Sequence, residues 1–185
     1  GVQYLELRTT PRDLADADAE AYVHALLSVL SDFDAQQRVS RAAWPMVVRL
    51  LLSIDRTGGA TRAMATVQLA IRLRKGFRGR RIVGVDFSGN PTRGSFADYL
   101  PAFEAARAAG LKVAVHAGEV EHEADTQAIL AFRPERLGHA LVLSPAIIAA
   151  LLTRPIPVEL CPTSNLQTLR LTSMRDHPTI HTSLT

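Results

Sequence analysis

Short apolar runs alternate along this chain with longer amphipathic stretches, and the alternation outlines its elements. Val2–Leu7 is rich in β-formers and reads as a first strand, ending at Arg8. Asp18–Phe33 carries Ala21, Ala25, Leu26, Val29 and Leu30 at helical spacing. Met46–Ile54 is a second apolar run, closed by Asp55 and Gly58-Gly59. Ala60–Leu73 is helical, with Ala63, Val67, Ala70 and Ile71 on one face and Gly76 as its stop. Arg81–Phe87 predicts a third strand, and Ser95 caps a helix running to Ala109 and stopped by Gly110. Leu111–His116, Arg136–His139 and Ile156–Leu160 predict three more strands, separated by helices over Asp125–Phe132 and Pro145–Leu152. Beyond Asn165 the pattern loses its period.

Strands alternating with helices argue for a parallel sheet covered by helices, in one domain over residues 1–185. An open doubly wound sheet would gather its ligand groups near one switch point, and no GxGxxG follows the first strand. A (β/α)8 barrel instead takes functional residues from the C-terminal ends of several strands. The polar residues obey that second rule. Arg8-Thr9-Thr10, Asp55, Ser88-Gly89, His116 with Glu119, His139 and Ser164-Asn165 all follow apolar runs. The expectation is an α/β fold, a TIM-type (β/α)8 barrel. It is incomplete, with about six of the eight βα units and the first and last strands missing.

Composition narrows the class. Hydrophobic residues make up 47% and charged residues 21%, the range of ordinary globular domains. No apolar run approaches the roughly 18–20 residues that span a bilayer, and the start, Gly1-Val2-Gln3-Tyr4, has no signal-peptide pattern. A lone cysteine, Cys161, excludes an internal disulfide and suits a reducing compartment, so the cytoplasm is expected. The net charge is +3, but the arginines are scattered apart from Arg78, Arg80 and Arg81, and aromatics are only 5%. That balance argues against a nucleic-acid groove.

His116-Ala117-Gly118-Glu119 carries the most chemistry. An imidazole at a strand end can present nitrogen to a metal, Gly118 permits a sharp turn, and Glu119 then aims at the same point. Bound Zn2+ brings the pKa of its water to about 7, and a neighbouring carboxyl can donate a proton to the group under attack. A hydrogen-bonded histidine beside an exposed glutamate explains the tetrapeptide equally well. Arg136-Leu137-Gly138-His139 places a second imidazole at the next strand end, where it too can be structural. Glu159, inside an apolar strand, needs a partner, and Arg8 or Arg136 could serve. Cys161 reads as a small packing residue rather than a nucleophile. Thr9-Thr10-Pro11-Arg12 offers two hydroxyls, a rigid turn and a guanidinium able to fork onto phosphate, or else an ordinary turn with a surface arginine.

His116-Ala117-Gly118-Glu119, Leu137-Gly138-His139 and Val158-Glu159-Leu160-Cys161-Pro162-Thr163-Ser164-Asn165, in that order, resemble the adenosine/AMP deaminase family. Tyr4–Arg12, Ile54–Gly59 and Val85–Thr92 are similar to its adenosine deaminase-like branch, the N6-methyl-AMP deaminases. The resemblance runs to about Pro178, and Thr179–Thr185 match nothing in it. It implies a (β/α)8 barrel with one Zn2+ per subunit. His116 would be the zinc ligand from this chain, Glu119 the proton donor to purine N1, and His139 the residue that orients or deprotonates the water. Gly89 would meet the purine with its backbone. Asp55 would line the substrate site, and Thr9, Thr10, Pro11 and Arg12 would contact the nucleotide. Asp86 matches a family aspartate read as structural.

The sequence departs from that pattern in places. The family's His-x-His zinc pair lies on a strand before this chain begins, and its Asp-Asp pair on a strand after it stops, with His177-Pro178 resembling the segment just before. The fragment alone is therefore expected to be inactive. The residue after His139 is usually Gly in the family and here is Ala140. The expected partner is a small purine nucleotide or nucleoside, acted on by a monomer, with no nucleic-acid polymer and no membrane. The expected reaction is hydrolysis of N6-methyl-AMP to IMP and methylamine. The alternatives are an adenosine deaminase acting on the nucleoside, a different metal hydrolase of similar barrel design, and a truncated non-catalytic copy.

Overall fold

The computed structural model describes residues 1–40 and 43–176. Six parallel strands lie side by side in sequence order: β1 (Tyr4–Thr9), β2 (Val47–Asp55), β3 (Ile82–Ser88), β4 (Lys112–Ala117), β5 (Arg136–His139) and β6 (Val158–Glu159). Between them run α1 (Ala19–Val39), α2 (Gly59–Arg74), α3 (Phe96–Ala108), α4 (Glu123–Phe132) and α5 (Pro145–Thr153), and α6 (Pro162–Thr168) follows β6. His177-Pro178 and Thr179–Thr185 lie outside the described residues. No helix among the described residues is long and apolar enough to cross a membrane.

The sheet is curled, and side chains prove it. In a flat sheet, neighbours spaced about 4.8 Å apart would put β1 and β6 roughly 24 Å from each other. Arg8 of β1 instead pairs directly with Glu159 of β6, and Glu6 of β1 with Arg136 of β5. Six parallel strands that bend until the first touches the sixth form an arc of a (β/α)8 barrel.

Period-two alternation then separates two faces. Val48, Leu50, Leu52 and Ile54 of β2, Val85 and Phe87 of β3, and Val113 and Val115 of β4 point outward into the core. They meet Val23 and Leu27 of α1, Val67 and Ala70 of α2, Phe96 and Phe103 of α3 and Ile129 of α4. The opposite set lines the concave face and is mostly polar. It comprises Glu6, Arg8, Ser53, Asp86, His116, Arg136 and Glu159, placed by the register pairs Ser53↔Asp86, His116↔Gly138 and Gly138↔Glu159.

Several boundaries differ from the sequence reading, three of them with a visible cause. β1 runs on through Arg8 and Thr9, because the concave face gives the Arg8 charge two carboxylates, Glu159 and Asp86. α1 continues six residues past Phe33, tied down by Asp34 to Arg81 at 2.5 Å and by Gln37, which bonds both the N–H and the carbonyl of Met46. β6 shrinks to Val158–Glu159, since only Leu137↔Val158 and Gly138↔Glu159 pair it with β5. Ser164 and Asn165, read as a polar turn, sit in the short helix α6.

Candidate functional site

The residues that carry chemistry gather at the C-terminal ends of the strands, on the concave side. His116 points inward from β4, as its alternation with the core residues Val113 and Val115 requires. Its ring lies flat against Gly138 of β5, where an added Cβ would come 2.9 Å from its Cγ. His139 is the last residue of β5, and simple alternation would send it outward with Leu137. Its backbone is left-handed, φ 65°, and the turn brings its ring to 4.9 Å from that of His116. Gly118, at φ 69°, makes the sharp bend that returns Glu119 to the same place, with Oε1 3.5 Å from Nε2 of His139. One ligand atom each from His116, Glu119 and His139 lie within 4.8 Å of one another.

Hydrogen bonds assign the ring nitrogens. Arginine can only donate, so Nε2 of His116, 2.8 Å from Nη1 of Arg8, is the acceptor and carries a lone pair. Oδ1 of buried Asn165 lies 2.6 Å from Nδ1 of His139. A carbonyl oxygen only accepts, so Nδ1 holds the proton, and Nε2 faces Glu119. Asp86, read from sequence as structural, turns out to border the site. Its Oδ1 is buried, has no hydrogen-bond partner, and lies 3.3 Å from Nε2 of His116.

Below the site an ion network fills the concave face. Glu159 does not choose between Arg8 and Arg136 but takes both, Arg136 Nε at 2.9 Å. Burial alone would weaken the Arg8 charge, but Asp86 and Glu159 outweigh it and hold the guanidinium more firmly protonated. Burial also works against a charged Glu6, yet hydrogen bonds from Tyr4 and Arg136 leave its carboxyl below the usual carboxylate range. Burial pushes the Cys161 thiol up, and its Sγ–H reaches the Glu159 carbonyl at 3.6 Å. A raised thiol makes a poor nucleophile, in keeping with a packing role.

The remaining sequence-named residues sit at the ends of β1 and β2 and in the loops that follow β1 and β3. After β1, Thr9 Oγ1 meets Tyr22 Oη at 2.6 Å, Pro11 is buried, and Thr10 and Arg12 are exposed, Arg12 lying 5.5 Å from the centre of the Tyr22 ring. After β2, Asp55 Oδ1 accepts from the backbone N–H and the hydroxyl of Thr57, both at 2.8 Å. Gly89 (φ 104°) packs against Asp55 so closely that a Cβ would come 2.6 Å from Oδ1. Sequence reasoning passed over Arg8 as a partner of His116, Asn165 as the anchor of His139, and Gly138 as the bed of His116. Only the third left a local trace, a glycine where a strand residue with a side chain was expected.

The family model for adenosine deaminase matches residues 1–182. The chain belongs to the adenosine deaminase family. It is 37% identical over 193 residues to the N6-mAMP deaminase of Arabidopsis thaliana, covering 95% of this chain and 53% of that protein. It is 35% identical over 176 residues to the adenosine deaminase-like protein of Drosophila melanogaster, covering 95% and 50%. Among solved structures it superposes on Arabidopsis ADAL complexed with IMP at TM-score 0.83 and 36% identity, covering 97% of this chain and 52% of that one. The GMP complex of the same protein gives TM-score 0.82 at 37% identity, covering 95% and 51%. The chain thus spans about half the length of the curated relatives it matches.

Proposed function

We propose that the protein carrying this chain is a zinc-dependent hydrolytic deaminase of a purine nucleotide, converting N6-methyl-AMP and water to IMP and methylamine. The observation that carries the reading is the meeting of His116, Glu119 and His139 at adjacent strand ends of a deaminase-family chain. The names of the relatives, N6-mAMP deaminase among them, and a similar structure with IMP point the same way.

The residues present suit a zinc ion. Imidazole nitrogen and carboxylate oxygen are its usual donors, and the Nε2 lone pair of His116 is the form a metal requires. Asp86 Oδ1, buried without a hydrogen bond and 3.5 Å from Arg8 Nη1, adds negative charge beside that nitrogen, which suits a cation there. His116 would be the ligand from this chain, and zinc bound to it supplies the Lewis acid that activates water at neutral pH.

This chain's own groups do the rest. His139, oriented by Asn165, offers Nε2 to take a proton from the attacking water. The water oxygen bonds to purine C6. Glu119 delivers a proton to N1, which takes up the electron pair that attack at C6 pushes onto the ring nitrogen. His139 then passes its proton to N6, the C6–N6 bond breaks and methylamine leaves, while the C6 hydroxyl returns a proton to Glu119 and becomes the carbonyl of IMP. Gly89, lacking a side chain, lets the purine approach the backbone. The Thr9–Arg12 loop takes the phosphate through hydroxyls and a guanidinium, which favours a nucleotide over a nucleoside.

The test is metal analysis and steady-state kinetics of the full-length protein with N6-methyl-AMP, AMP and adenosine. The expected result is bound zinc and the highest kcat/KM on N6-methyl-AMP. A protein that retains no metal, or turns over none of the three, refutes the reading.

A further inference from the structure

Arg56 follows Asp55 at the end of β2, and its side chain is only 4% exposed. Its guanidinium pairs with Asp125 of α4, equally buried, and lies 4.8 Å over the ring of Phe87 in β3. The other oxygen of that carboxylate, Oδ1, accepts the N–H of Phe96, the first residue of α3, at 2.5 Å. The carbonyl of Arg56 in turn accepts from the hydroxyl of Tyr99, also in α3. Asp125 sits in the first turn of α4, and its N–H reaches back to Nδ1 of His122 at 3.3 Å. Two glycines close the contact: a Cβ on Gly89 would lie 3.2 Å from the Arg56 nitrogen, and one on Gly94 3.3 Å from its carbonyl oxygen.

One buried pair therefore touches all three loops that follow β2, β3 and β4. Asp55 closes the strand before the first of them, and Gly89 and Glu119 lie in the other two. A buried ion pair stabilises a fold little compared with apolar residues of the same volume. Nε of Arg56 is also buried without a hydrogen-bond partner, a cost that a purely stabilising arrangement would not keep.

We propose that Arg56 is a positioning residue. With Asp125 and Tyr99 it holds the three loops in register, so that Asp55, Gly89 and Glu119 face one substrate. The loop register stands on the contacts alone; its effect on turnover rests on the function proposed above.

The test uses the full-length protein with both partners made apolar, Arg56→Met with Asp125→Leu. Amides of residues 56–59, 89–95 and 118–122 should exchange together, on the order of tenfold faster, while those of β2, β3 and β4 stay protected. Turnover of N6-methyl-AMP should fall about 100-fold in kcat/KM, with kcat affected as well as KM, because small misplacements carry that cost. Arg56→Lys, which keeps the cation, should recover part of the loss. Faster exchange confined to one loop overturns the proposal, as does a folded double variant with unchanged kcat and KM. Should that variant not fold, Tyr99→Phe removes a single bond from the hub, and unchanged exchange in residues 56–59 and 89–95 overturns the proposal there. If the unsubstituted protein turns over no purine, the proposed function fails, and the exchange data alone decide on Arg56.

Discussion

Arg8 on β1 and His116 on β4, 108 residues apart in the chain, meet at 2.8 Å across the concave face of the sheet. The contact decides which nitrogen of His116 is unprotonated, and Glu159 and Asp86 hold the guanidinium that makes it. The His116 ring is thereby set by groups from three other strands, β1, β3 and β6.

The bed of His116 is as demanding as its partner. Gly138→Ala would place a methyl group 2.9 Å from the ring and drive it off its position. In the full-length protein this change should lower zinc affinity and turnover by about 10–100-fold, the usual cost of disturbing the shell behind a ligand. Zinc content and kcat of the purified variant check this, with the melting temperature as control for folding. Unaltered zinc affinity would show that the ring does not depend on Gly138.

Arg12→Ala in the full-length protein should reduce kcat/KM for N6-methyl-AMP far more than for adenosine. A charge-assisted hydrogen bond to phosphate is worth about 1.5–3 kcal/mol, or roughly 10–150-fold. Parallel kinetics on the two substrates measure the split. Equal losses would mean that the exposed guanidinium over Tyr22 has no part in holding phosphate.

Ala140 occupies a left-handed backbone position, φ 50°, directly after the left-handed His139. A Cβ in that region costs roughly 1–2 kcal/mol, a strain glycine escapes at some entropic expense. Ala140→Gly is therefore expected to stabilise the protein by about 1 kcal/mol and raise Tm by roughly 2–4 °C. Thermal unfolding followed by circular dichroism reads this directly, and a lower Tm would contradict it.

Glu6 titrates below its ordinary value of 4.5, because the bonds from Tyr4 and Arg136 outweigh its burial. A depressed folded pKa means that the unfolded chain binds the proton first on acidification. The stabilisation is thus complete above pH 4.5 and is lost as the pH falls through the lower folded value. Glu6→Gln should be less stable than the unsubstituted protein at neutral pH, and the gap should narrow in acid. Urea unfolding at neutral pH and below pH 4 measures the difference; a gap that widens in acid would refute the sign.

Much of the architecture was legible along the chain. β5 matched its expected bounds, and α2, α3, α4 and α5 fell within a residue or two of theirs, because helix and strand periods are local and Ser95 and Gly110 punctuate them locally. The clustering of His116, Glu119 and His139 was legible too, since in a parallel sheet every strand end faces the same way. The polar tail of α1 was not, because Asp34 and Gln37 need Arg81 and Met46, which lie on later segments.

By itself, then, the sequence determined the order and kind of the elements and which end of the sheet would carry chemistry. Only the tertiary structure decided the pairings: Glu159 with both Arg8 and Arg136, His116 with Arg8, and Arg56 with Asp125. The reason is geometric. Alternation tells a side chain which face to take, but its partner across that face depends on how far the whole sheet curls, and curl accumulates from every strand together.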